Sequence, residues 1–178
     1  MILDPLPFSP QLVHARWAFG LLPNEELPRF AQDALEIGYD GKYIRRIAGL
    51  IEPNWFDLQP LITGFFAELG IEANLAQEQA GRVLAHLIAQ AIVEGQVRPY
   101  EGARFIAYEV ANSLWGNDLR REFVPFIGLA SEYEDCEHYI QHPEDCRFLS
   151  QTPAEIRREL EHQIIEAARN FVNNPGGG

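Results

Sequence analysis

Lysine is all but missing from this chain: Lys42 is the only one, and arginine supplies every other cationic side chain. Basic charge is scarce altogether. Fourteen Lys and Arg face 26 Asp and Glu, for a formal net charge of −12. That sign excludes nucleic acid and anionic membrane as expected partners, because both require cationic neutralisation. It favours encounter with a basic protein. The arginine bias also suits fixed, forked ion pairs better than loose point charges.

Cysteine is scarce too. Cys136 and Cys146 are the only two, too few for the disulfide framework of a small secreted domain. Met1–Pro10 lacks a basic start followed by an apolar run, so no secretory leader is expected. No stretch approaches the roughly 20 apolar residues of a membrane helix. Leu84–Val93 is the most apolar segment, but His86 and Gln90 interrupt it, and it reads as a buried core helix. With these absences, a soluble protein of the cytoplasm is the expectation. Strand signals are equally poor. Valine and threonine are sparse, and Asp40-Gly41 is flanked by helix-period residues rather than by β-branched runs. Catalytic signatures are missing as well. There is no Gly-x-Ser-x-Gly elbow, no phosphate-binding glycine loop and no His-Glu-x-x-His helix. No catalytic residue is assigned, no cofactor is expected, and a non-enzymatic role follows.

What is present is helix-forming sequence from end to end. With 178 residues and 47% hydrophobic side chains, the chain is neither disordered nor short of core. Ser9-Pro10 opens a helix that carries Leu12, Val13 and Trp17 to a stop at Gly20. Asn24, Asp40, Asn74 and Asp118 each stand where an N-cap is wanted, a further helix begins at Asn54 or Asp57, and Gly38, Gly70 and Gly95 stand where a helix should end. Pro99 opens a further helix through Phe105, Ile106 and Val110. Pro125 should kink or split the segment from Leu119 to Leu129. Thr152-Pro153-Ala154-Glu155 is a full capping box ahead of Ile156, Leu160 and Ile164. The expectation is an all-α single-domain bundle of about seven or eight helices over residues 1–172, with a flexible Asn/Pro/Gly tail over 173–178. Residues 34–40 echo residues 66–72, which raises a helical-hairpin repeat against a shared glycine stop.

His14 and His86 sit on apolar helices and read as hydrogen-bonded core or boundary residues. Arg45-Arg46, Arg120-Arg121 and Arg157-Arg158 read as donors to acidic neighbours. Trp17, Trp55 and Trp115 lie near helix ends; Trp55-Phe56, which follows Pro53-Asn54 outside a strong periodic stripe, is the pair most readily exposed as a contact anchor, with the core as its expected place.

The densest chemistry lies in Glu132–Cys146. Six acids (Glu132, Glu134, Asp135, Glu137, Glu144 and Asp145) stand there with both cysteines, His138 and His142. The acids are the expected partner-facing surface. The alternative is a metal site, in an enzyme or a sensor, on Cys136, His138, His142 and Cys146. Thiolate and imidazole are zinc donors, although the spacing is not that of a finger and Pro143 would end a helix after His142. The plain expectation is a polar loop or ragged helix end with one cysteine in the core. A third reading is a helical scaffold or self-associating adaptor.

Ala34–Leu50, with Gly-Tyr-Asp-Gly and Tyr-Ile-Arg-Arg-Ile-Ala-Gly-Leu, resembles small cytosolic helical proteins of bacteria, as do Glu68-Leu69-Gly70 and Gly95 with Pro99-Tyr100-Glu101-Gly102-Ala103. Some proteins of that kind stand beside secreted toxins and are read as their immunity proteins. The resemblance implies an all-helical inhibitor that neutralises a cognate toxin by direct contact. It brings no catalytic residues with it, and it does not include the Cys/His stretch.

Overall fold

The computed structural model describes residues 6–72, 74–114, 118–141 and 151–174, and for residues 118–120, 137 and 139 the backbone alone. The fold is all-α. The described residues form α1 (Pro10–Ala18), α2 (Leu27–Glu36), α3 (Lys42–Ala48), α4 (Trp55–Glu68), α5 (Gln77–Val93), α6 (Pro99–Arg104), α7 (Val124–Gln141) and α8 (Pro153–Asn173), with no strand among them. Short 3₁₀ turns occupy Asn24–Glu26 and Asp118–Phe123, and Phe105–Ala111 is π-helical. The chain gathers into two compact units, Pro7–Leu84 and the part from Ala85 onward, with the division inside α5.

In the first unit, α1 begins as its sequence dictates, with the Leu12 amide donating to Ser9 Oγ at 3.2 Å. At α4, Asn54 and Asp57 complete a capping box. Two other expected caps fail for a physical reason. Asn24 lies inside the 3₁₀ turn before α2 rather than at its cap. Asp40 is taken by the Arg45 fork, with Nε at 2.6 Å from its Oδ1. The cap of α3 comes from 24 to 25 residues away. Glu68 Oε2 accepts from the Tyr43 and Ile44 amides at 2.8 and 2.9 Å. Gly41 makes room for it, since a Cβ there would land on the Glu68 carboxylate. A third expected cap, Asn74, stands three residues before α5 begins.

The core of this unit is Val13, Phe30, Ile44, Ile47, Leu58, Phe65 and Phe66 with their neighbours. His14 is buried within it, its ring 4.6 Å from that of Phe66. Arg16 is the one charged side chain fully buried among the described residues. Its Nη2 donates to Glu26 Oε2 at 2.8 Å and to the Leu21 carbonyl at 3.2 Å. Its guanidinium lies 5.0 Å from the Phe30 ring centre. The 34–40 and 66–72 echo is a shared helix stop. Tyr39 N donates to Ala34 O and Ile71 N to Phe66 O around left-handed glycines, and the same closure ends α1 and α5 at Gly20 and Gly95.

In the second unit, Pro99 takes the first position of α6, where its missing N–H costs little. Gly102 lets α6 approach α5, because a Cβ there would strike Ile92. The expected split at Pro125 is found just ahead of it, between Phe123 and Val124. The 3₁₀ turn ends at Phe123, and Pro125 sits in the first turn of α7. Phe126, Tyr133 and Cys136 then run down the buried side of α7, with half-buried Leu129, against Leu160 and Ile156 of α8. The Thr152–Glu155 box opens α8 as expected. This helix takes in Asn173, the first residue of the expected tail, and residues 175–178 lie outside the described residues. No helix among the described residues is long and apolar enough to cross a membrane.

Candidate functional site

Of the two expected forms, polar loop or helix end, the acidic stretch begins as helix, with Cys136 in the core. α7 continues through Glu132 to Gln141, because Tyr133 and Cys136 extend the buried stripe of Phe126 and Leu129 at helical spacing while the acids point outward. Glu132, Glu134 and Asp135 are exposed on this helix. The side chain of Glu137, and all of Glu144 and Asp145, lie outside the described residues.

Glu132 and Asp135 are three apart and share one side of α7. Glu134 stands about 100° round from Asp135, toward α6 and the π-helical segment. Its two carboxylate oxygens are held separately. Tyr100 Oη donates to Oε1 at 3.2 Å and Tyr108 Oη to Oε2 at 3.0 Å. Eight residues separate these tyrosines, which a continuous α-helix would set about 80° apart. The wider turns of the π segment wind each residue through less angle, and that brings both phenols toward one line. Unbroken α-helix expected from Pro99 to Leu114 hides this arrangement. A tyrosine pair eight apart, opposite an acidic helix, is the only signal the sequence offers for it.

Around this carboxylate the aromatic groups are stacked and fixed. The Tyr100 and Tyr133 rings lie 4.1 Å apart and 10° from parallel. Tyr133 Oη donates to Glu161 Oε1 at 3.2 Å, and the Arg157 guanidinium lies 5.3 Å from the Tyr133 ring centre. Burial first, and the adjacent Glu134 charge after it, raises the Tyr100 phenol above its ordinary range. Burial and the hydrogen bond to Glu134 do the same for Tyr108. Burial, reinforced by Glu161 and opposed by Arg157, pushes Tyr133 up to about 12. All three phenols therefore keep their protons at neutral pH, and Tyr100 and Tyr108 remain donors to Glu134.

The proposed metal ligands part company. Cys136 is buried, and its Sγ donates to the Pro153 carbonyl at 3.2 Å. His138 is exposed, two positions further on and about 200° round the helix, so the two do not share a face. His142 and Cys146 lie outside the described residues. Among the described residues no group of three or more His, Cys, Asp or Glu is placed to hold an ion.

The aromatic expectation needs correction. Phe56 is 82% exposed and Trp55 46% exposed, rather than core. The capping box fixes the start of α4 so that Leu58, Leu61, Phe65 and Phe66 face inward, and that register turns Phe56 out. The Trp55 ring is stacked 5.8 Å from that of half-buried Trp17. Trp115 lies outside the described residues. Comparisons with protein-family models, with curated proteins and with solved structures found no match to this chain.

Proposed function

We propose that this chain is an acidic, non-enzymatic binding protein whose α7 face receives a basic protein partner. The specific form of the proposal is a cytoplasmic immunity or inhibitor protein that neutralises a cognate toxin by direct contact. The observation that carries it is the Glu134 carboxylate, gripped by two phenol hydroxyls beside exposed Glu132 and Asp135. A carboxylate held in this way loses little further freedom when an arginine or lysine docks on it. Tyrosines at the same point supply contact area at low entropic cost. The charge distribution agrees. Residues 7–84 hold 10 acids and 6 bases, while the rest of the chain holds 16 and 8, so the acidic excess is twice as large on the α7 side. Such a field speeds encounter with a cationic partner and is weakened by salt. Nucleic acid is no partner for it.

The test is capture from source-cell lysate at low and high salt, with mass spectrometry of the bound protein. A single basic protein, retained at low salt and weakened at high salt, is the expected result. With that protein in hand, Glu132→Gln with Asp135→Asn should slow association, and Glu134→Gln should speed dissociation. Unchanged affinity and unchanged salt dependence in the triple variant would sink the proposal.

A self-associating adaptor is the second reading, and one observation favours it. The exposed line Phe56, Gln59, Pro60, Thr63 and Ala67 along α4 carries no charge. Sedimentation velocity across concentration decides it. A monomer throughout, unchanged by Phe56→Asp, removes this reading.

A further inference from the structure

The link from α3 into α4 carries apolar side chains on its outside. Among the described residues six large hydrophobic side chains are exposed, and three of them, Ile51, Trp55 and Phe56, fall within six consecutive positions. Ile51 is 91% exposed. Their backbone is fixed. Pro53 is buried between them, and the Asn54–Asp57 capping box sets the first turn of α4. Trp55 is already stacked on Trp17. Apolar side chains held in this way lose little freedom on contact and serve as anchors of a binding surface.

Glu52 lies among them in a conformation that glycine would adopt more easily. Five described residues have left-handed backbone: Gly20, Gly38, Gly70, Gly95 and Glu52, the last with φ at 46°. A side chain is strained there, and four of the five positions avoid the strain with glycine. At the fifth the chain keeps an exposed carboxylate, and among the described residues nothing pairs with it. Strain retained for a charge that the fold does not use points to a use outside the fold. The surrounding sequence adds no cation. Between Arg46 and Arg82 there is no lysine, arginine or histidine. Of the acids in that stretch, Glu68 is turned to the α3 amides, and Asp57 is held by the Asn54 amide at 3.0 Å. Glu72 and Glu78 lie beyond the far end of α4. Glu52 is therefore the open charge beside the apolar trio. Arg46, five residues before Ile51, is the nearest cation along the chain and is exposed on α3.

These features select the occupant. An acidic face would be repelled by Glu52 and Asp57. A second copy, meeting this face with its own about a two-fold axis, would set the same two acids against themselves. An apolar face edged by lysine or arginine suits both parts, because its apolar centre covers the trio and its rim meets Glu52. We infer that Ile51, Trp55 and Phe56, with Glu52 as their charged neighbour, form a docking surface for the apolar, cation-edged face of another protein. This surface belongs to the first unit and does not rest on the reading of α7.

The probe is a four-turn amphipathic helix of leucine and lysine, titrated into the full-length protein and followed by amide chemical shifts. A leucine–glutamate helix and a serine–lysine helix are the controls. The titrations use a background of Glu132→Gln, Glu134→Gln and Asp135→Asn, which keeps failure of the α7 reading distinct from failure here. The leucine–lysine helix should shift the amides from Ile51 to Gln59. The serine–lysine helix should bind about tenfold more weakly, and the leucine–glutamate helix should leave those amides unmoved. Ile51→Ser with Phe56→Ser should weaken binding about tenfold at an unchanged urea midpoint, since both side chains are exposed. Glu52→Gly should weaken it about fivefold with the urea midpoint unchanged or raised, because glycine relieves the left-handed backbone. Arg46→Gln should leave binding equal or tighter. Unmoved amides from Ile51 to Gln59, equal binding of the leucine–glutamate helix, or binding that survives the double serine variant would each overturn the proposal. So would Glu52→Gly that keeps full affinity or lowers the urea midpoint. Concentration-dependent sedimentation of the chain alone, abolished by the double serine variant, would assign this face to a second copy and overturn it too.

Discussion

Gly41 and Glu68 should behave as one unit, although 27 positions separate them. α3 is seven residues long and has no cap from its own neighbourhood. Two of its first amides are satisfied by a single Glu68 oxygen. Removing an N-cap acceptor typically costs about 0.5–2 kcal/mol. The charge and the doubled contact put Glu68→Ala near the top of that range, about 2 kcal/mol. Gly41→Ala should reach a similar cost by another route. Its backbone is extended, with φ at 177°, so alanine meets no conformational penalty there. The new Cβ instead displaces the Glu68 carboxylate. Loss of the cap, offset by about 0.5 kcal/mol from a less flexible unfolded chain, leaves a net cost of about 1.5 kcal/mol. Once Glu68 is alanine, the obstacle is gone, and Gly41→Ala should stabilise by about 0.5 kcal/mol. The substitution reverses sign with its partner, and the coupling is about 2 kcal/mol. Urea unfolding of the four proteins measures it, and amide exchange at Tyr43 and Ile44 reports the cap directly. Additive costs, within about 0.5 kcal/mol, would refute the reasoning. So would unchanged exchange at those two amides in Glu68→Ala.

Three further outcomes are expected. Glu26→Ala should cost about 3 kcal/mol, because it leaves the Arg16 charge buried without its carboxylate, and Arg16→Met should cost less than half as much; the reverse order in urea would contradict a buried-charge origin. In an absorbance titration of the phenols, at least one of the six tyrosines should titrate near pH 12 and vanish in Tyr133→Phe; its raised folded value means that stability held below pH 10 is lost as pH climbs from 10 toward 12. Thr152→Ala should cost about 1 kcal/mol at pH 7. Hydrogen bonds from Thr152 lower the Glu155 carboxyl below 4.5, so that carboxylate's contribution is complete above pH 4.5 and fades as pH falls through the lowered value; the penalty should be smaller at pH 3.

Local rules read well where a helix closes on its own neighbours. Ser9 and the Thr152–Glu155 pair act within three residues and are found as the sequence implies, while Asn54 and Asp57, read as alternative starts of α4, act together as its capping box. The glycine stops are of the same kind. Local rules fail where a distant group wins. Asp40 was a fair cap for α3, but an arginine five residues on takes its carboxylate, and Glu68 caps the helix across space. The exposure of Phe56 follows from the register that the α4 capping box imposes, which periodicity alone did not resolve in a segment apolar on several sides. The acidic face of α7 was half legible. Its composition stood out at once, and the helix beneath it could have been found from Phe126, Leu129, Tyr133 and Cys136. The grip on Glu134 could not, because it depends on π turns that no propensity rule places.

Those π turns let the chain carry one residue more than the clasp on Glu134 needs. Removing one residue between Arg104 and Tyr108 would let the segment rewind as ordinary helix at little backbone cost. Tyr108 would then follow Tyr100 by seven positions, which ordinary helix sets only about 20° apart, so both phenols would still face Glu134. The same deletion in an ordinary helix would turn everything beyond it by about 100°. At this point of the chain a change in length is absorbed by the winding, where elsewhere in a helix it would carry one face away from its partners.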